Sequence, residues 1–89
     1  MIKYNRNENV STKEVDTEIF VFNRESGKMF SFSEVGKSIW KRLEHGSTID
    51  DLLLAVTSDY DVEAPKARDD IKTFLDELCS KHLISSHEY

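Results

Sequence analysis

Apolar residues recur along this chain with two different periods, and the switch between them divides it into a strand-forming part and a helical part. Residues 1–9 are polar, with only Ile2 and Tyr4 as sizeable apolar groups beyond Met1, and are expected to form a flexible or weakly docked tail. Val10, Thr12 and Val15 then suit a short edge strand. The run Glu18-Ile19-Phe20-Val21-Phe22-Asn23 is dense in β-branched and aromatic residues, the composition of a strand covered on both faces. Arg24-Glu25-Ser26-Gly27 supplies a turn, and Lys28-Met29-Phe30-Ser31-Phe32 resumes an extended pattern, so a β-hairpin is predicted. Alternation in its second arm puts Phe30 and Phe32 on one face and Met29 and Ser31 on the other. Two aromatics pointing the same way call for a helix to cover them.

That cover starts at once. Ser33 is a good N-cap, Val35, Ile39, Trp40 and Leu43 follow at helical spacing, and Gly46 ends the helix. Thr48 opens a second helix with Asp51 three residues on, a carboxylate variant of the capping box, and Ile49, Leu52, Leu53, Val56 and Tyr60 make its apolar stripe. Pro65 suits the first turn of a third helix, in which Ala67, Ile71, Phe74, Leu75 and Leu78 recur up to Lys81. Leu83 and Ile84 are expected to close the core, giving a domain over residues 10–85 and a short C-terminal tail over 86–89. The fold class is α+β and winged-helix-like, a three-stranded antiparallel sheet followed by three helices.

Length changes the picture little: 89 residues, 38% of them hydrophobic, fit one core. Charge matters more. The net charge is −5; residues 1–32 hold five basic and five acidic side chains, and the remainder seven against twelve. A surface that grips nucleic acid gathers Lys and Arg, and this helical half does the reverse. The helix-turn-helix alternative, a winged-helix DNA-binding regulator, meets a second helix with Asp50, Asp51 and Asp59 and no Lys or Arg. No apolar run is long enough to span a bilayer, Cys79 has no partner for a disulfide, and no basic segment followed by an apolar run opens the chain. These features predict a cytoplasmic protein that contacts neither membrane nor nucleic acid.

Candidate chemistry is sparse. Cys79 and His82, with His87 further on, have ligand-like spacing, but a structural zinc site takes four ligands and no second Cys/His pair exists. His45 beside Gly46 reads as a helix-end residue. Cys79 lies in an amphipathic helix, the carboxylates follow caps and exposed positions, and Gly27, Gly36 and Gly46 are too scattered for a phosphate loop. Neither a metal nor a cofactor is expected, and no catalytic residue can be nominated. What remains is the edge of the sheet, where unpaired backbone groups are either blunted or used to pair with another chain.

From about Glu18 to Ile84 the chain resembles the PqqD-like family of peptide chaperones, also described as precursor-peptide recognition elements. The resemblance is carried by Gly27-Lys28-Met29-Phe30-Ser31-Phe32, Val35-Gly36-Lys37-Ser38-Ile39-Trp40, Gly46 with Thr48-Ile49-Asp50-Asp51-Leu52, Asp59-Tyr60-Asp61-Val62, the stretch from Asp70 to Leu78, and Leu83-Ile84. Two positions depart from the family pattern: His82 stands where a glycine is expected, and Ser33 where an asparagine is frequent. The resemblance implies a non-enzymatic adaptor that binds the leader region of a precursor peptide as an added strand. That strand would lie against Lys28, Met29, Phe30, Ser31 and Phe32, in a groove bordered by Lys66, Ala67, Asp70, Thr73, Phe74 and Glu77 of the third helix. Met29 and Ser31 would offer backbone pairing, and the gap between Phe30 and Phe74 would take apolar side chains. It further implies a partner enzyme, most in keeping with the leader peptidase of lasso-peptide biosynthesis, although another peptide-modifying enzyme fits too. The domain would act as a monomer or as a homodimer through the same open edge.

Overall fold

The computed structural model describes residues 1–88 and contains two antiparallel sheets and three α-helices. In chain order the elements are β1 (Ile2–Arg6), β2 (Val10–Val15), β3 (Glu18–Asn23), β4 (Met29–Ser33), α1 (Glu34–Arg42), α2 (Ile49–Asp59), α3 (Ala64–Ser80) and β5 (Ile84–Glu88), with a 3-10 turn over Leu43–His45. The three-stranded sheet, ordered β2-β3-β4, and the three helices that follow it agree with the expected α+β architecture.

Local chemistry accounts for most boundaries. The Asn23 side-chain oxygen accepts from the Glu25 and Ser26 amides at 2.9 and 3.2 Å, and Gly27 takes φ +75, which closes the turn between β3 and β4. Thr48 Oγ1 accepts from the Asp51 amide at 3.1 Å and caps α2, a bond worth about 1 kcal/mol. Ser33 occupies the cap position of α1 but makes no side-chain capping bond. At Gly46 φ is +85 and ψ 143, a backbone conformation that side chains rarely adopt, and this suits glycine to the place where the chain turns past β1.

Residues 1–9 are not a flexible tail. β1 pairs with β5 from Ile2 opposite Glu88 to Arg6 opposite Ile84, and a backbone bridge from Tyr4 to Ser47 ties β1 to the start of α2. The C-terminal tail is corrected likewise, since β5 runs to Glu88; only Tyr89 lies outside the described residues. Tyr4 is buried, and the Arg6 guanidinium donates to the Trp40 carbonyl at 2.5 Å while stacking 4.7 Å from the Trp40 ring centre. The second sheet thereby closes one end of the core.

That core lies between the inner face of the larger sheet and the helices. Ile19 and Val21 from β3 meet Ile39, Trp40, Leu43, Leu52, Ile71, Leu75, Leu78 and Leu83, all buried. The Trp40 indole N–H still finds Thr12 Oγ1 at 3.1 Å, so the largest core side chain leaves no polar atom stranded.

Two hydrogen bonds set the parity of the larger sheet. The Asn23 amide donates to the Lys28 carbonyl at 2.9 Å, and the Arg24 amide to the Asn9 carbonyl at 2.8 Å. Antiparallel ladders alternate bonded and non-bonded pairs. In the register Val21 to Phe30 and Ile19 to Phe32, the amides of Phe30 and Phe32 therefore serve β3, while those of Met29, Ser31 and Ser33 face outward. On the far side the outward amides belong to Val10, Thr12 and Glu14.

Candidate functional site

An apolar groove of about 470 Å³ lies where the three helices converge. Val35, Gly36 and Ile39 from the first turns of α1 form one wall, Val56 and Ile71 lie at its base, and Lys66, Ala67, Asp70 and Phe74 of α3 form the other wall with Val62 and Glu63. Gly36 keeps this space open: a Cβ there would stand 3.3 Å from Phe32 Cβ and 3.5 Å from Phe74 Cζ, so a longer side chain would project into the groove. Val62 is 45% exposed although apolar, in an otherwise acidic connection, and leaves its side chain at the rim.

Phe32 joins this groove to the sheet. Its ring meets Phe74 edge-on at 5.2 Å and Trp40 at 5.9 Å, so the inner face of β4 runs into the wall of α3. Phe30, further along the same face, is covered by the Lys81 ammonium at 5.1 Å. The backbone of β4 beyond these rings is the outward row of Met29, Ser31 and Ser33. This row of outward amides and carbonyls meets the groove wall at Phe32, which packs on Phe74 and lies beside Gly36.

Of the residues expected at the site, Lys66, Ala67, Asp70 and Phe74 line the groove, and Ala67 is buried in its floor. Lys28, Met29, Phe30, Ser31 and Phe32 form the edge strand and the residue that leads into it. Thr73 and Glu77 stand exposed on α3 and do not line the cavity. The gap expected between Phe30 and Phe74 is not the main opening, because Phe74 packs on Phe32 and the cavity opens on the other side, toward Gly36 and Val62. Val35, Gly36, Ile39, Val56, Val62, Glu63 and Ile71 were not foreseen as groove residues. An exposed valine among acids was the one local signal for them.

A larger and more open concavity of about 860 Å³ lies at the β2–β3 turn, lined by charged residues from Asp16 to Arg42. Its cations are already satisfied: Lys37 and Lys41 hold Glu14 at 2.7 and 3.4 Å, and Arg42 lies 3.6 Å from Asp59. Size alone does not make it the better site, since binding pockets are lined mainly by hydrophobic side chains and every residue lining this one is charged or carries a hydroxyl. The other chemical candidates stay apart. Burial, with Asp76 nearby, pushes the Cys79 thiol above its ordinary pKa, which disfavours the nucleophilic thiolate. Among the described residues no three His, Cys, Asp or Glu side chains gather to hold a metal, and no helix is long and apolar enough to cross a membrane.

Comparison with known proteins bears directly on this geometry. Residues 18–84 match the model of the family described as coenzyme PQQ synthesis protein D, PqqD. The chain belongs to the PqqD family. Its matched span runs from the start of β3 to the start of β5, so it takes in β4, the groove and all of α3. Two solved structures are similar over nearly their full length. One is TbiB1 in complex with the TbiA(beta) leader peptide, 27% identical, with a TM-score of 0.87 over 91% of this chain and 94% of that one. The other is a lasso peptide synthetase B1 complexed with the leader peptide, 22% identical, with a TM-score of 0.83 over 92% of this chain and 96% of that one; this second likeness speaks to the fold. No curated protein gives a significant match.

The departures from the family pattern now have a physical setting. His82, in place of the expected glycine, sits at φ +59, a left-handed conformation that a side chain strains. Its amide donates to the Cys79 carbonyl and the next one, of Leu83, to Leu78, which closes the end of α3. Ser33 is extended at φ −131, and it is Glu34 that takes φ +50.

Proposed function

We propose that this protein is a non-catalytic adaptor that binds the leader segment of a ribosomally made precursor peptide as a fourth strand on β4 and presents it to a partner enzyme. The observation that carries the proposal is the coincidence of the outward amide row at Met29, Ser31 and Ser33 with the apolar groove between α1 and α3. Backbone bonds would supply affinity, and the groove would select the side chains. The similar TbiB1 structure is itself a leader-peptide complex, and this supports the reading. The partner we favour is the leader peptidase of lasso-peptide biosynthesis, with both proteins in the cytoplasm. The adaptor would act by raising the local concentration of the precursor at the enzyme, an effect of linkage that needs no chemistry of its own.

A backbone-amide NMR titration tests this, using the leader peptide encoded beside the protein's own gene and a short DNA duplex as control. Shifts centred on residues 28–33, Gly36 and the groove face of α3, with none from DNA, are expected. Binding of the duplex without the peptide would overturn the proposal in favour of a regulator.

A further inference from the structure

Resting on that reading, we infer that Lys81 is a specificity-determining residue that selects an acidic side chain in the bound peptide, two positions after an apolar one. Four cations belong to α3 and its C-terminal cap, and three of them have carboxylates: Lys66 with Asp70 at 3.4 Å, Arg68 with Asp50 at 2.5 Å and Lys72 with Asp76 at 4.0 Å. Lys81 is exposed and has no such partner among the described residues; its ammonium rests 5.1 Å over the Phe30 ring. A cation on an aromatic face at an exposed site is held by only about 0.5–1 kcal/mol, so a carboxylate can take it over.

The parity of β4 says where that carboxylate would stand. A strand added antiparallel would exchange backbone bonds with Met29 and Ser31, and its residue between them would face Phe30 in a non-bonded pair, with Cβ atoms about 5 Å apart and on the same face. That position would adjoin the Phe30 ring that Lys81 covers. The residue facing Phe32 comes two earlier in an antiparallel segment and points toward Phe74 and the groove, where an apolar group belongs. The preference for an acid is local, because the protein as a whole carries a net charge of −5 and would repel an acidic segment elsewhere.

The test is selection of a phage-displayed library of random peptides on the wild type, Lys81→Glu and, as a control on a cation already paired, Lys72→Glu. Wild type and Lys72→Glu should enrich Asp or Glu two positions after an apolar residue, and Lys81→Glu should replace that acid by Lys or Arg. A selected acidic peptide should bind Lys81→Ala about three- to fivefold more weakly, with the difference shrinking in high salt. The same charge preference on wild type and Lys81→Glu would overturn the inference and leave peptide binding standing. No enrichment on any of the three would overturn both.

Discussion

The two outer strands of the larger sheet each turn three residues' worth of backbone groups away from β3, yet different neighbours stand beside them. On β2 the Arg24 guanidinium donates to the Val10 carbonyl at 3.0 Å and to Ser11 Oγ at 2.7 Å, and it also bonds the Glu8 carbonyl. Further along, Lys37 and Lys41 converge on Glu14. One edge is therefore occupied by a side chain at its Val10 end and flanked by charge further along, two of the usual protections against unwanted pairing. Among the described residues no side chain does this on β4: Met29, 63% exposed, and Ser31 and Ser33 turn their amides outward along a strand whose Phe32 packs on Phe74 of the groove wall. The contrast teaches that edge protection here comes from particular side chains, Arg24 and the Glu14 cluster, and does not extend to the sheet as a whole.

Proline substitution should break the comparison most sharply. Ser31→Pro removes an outward donor without costing a bond to β3, and leader affinity should fall more than about tenfold by titration calorimetry. Glu14→Pro, the equivalent change on β2, should leave affinity within about twofold. Equal losses from both would mean that the peptide does not add at β4. Next in size, Gly36→Leu should fill the groove and weaken the leader about tenfold, and it should lower the melting temperature as well, because the first added carbon would stand a tight 3.3 Å from Phe32 Cβ.

Removing the Arg24 side chain sharpens the contrast from the other side. Arg24→Ala should destabilise the domain by about 1 kcal/mol in urea melts and raise its self-association in light scattering, since the Val10 end of β2 is then uncovered. The smallest effect concerns Glu14, whose carboxyl is held below its ordinary 4.5 by hydrogen bonds from Lys37 and then Lys41. A lowered carboxyl stabilises the fold above its unfolded value, and that support is lost as pH falls through the folded value. Carboxyl NMR should place its midpoint below 4.5, and molar salt should move it back upward because the pair is exposed.

How much of this was legible depended on the range of the interactions. The hairpin over residues 18–32 announced itself through a dense β-branched and aromatic run, a turn at Gly27 and alternation in the second arm, and Thr48 and Pro65 marked the starts of α2 and α3 because their signals act within one turn. β1 was missed since its partner lies some 80 residues away and reads Ile-Ser-Ser-His-Glu, which carries almost no strand pattern of its own. The groove was half legible. Its α3 side follows from helical spacing and the family resemblance, whereas Val35, Gly36 and Val62 join it only through the way α1 and the connection before α3 are placed.

By itself the sequence determined the order of elements, the face on which Phe30 and Phe32 stand and the places where helices begin, because rotamers, caps and turn conformations answer to near neighbours. Tertiary structure alone decided that residues 2–6 become a strand, that Arg24 reaches the Val10 end of one edge and not the other edge, and that a cavity forms between the helices. Those outcomes rest on hydrogen bonds and packing between segments far apart in the chain. Each segment's own residues are compatible with several partners, and only the assembled fold selects among them.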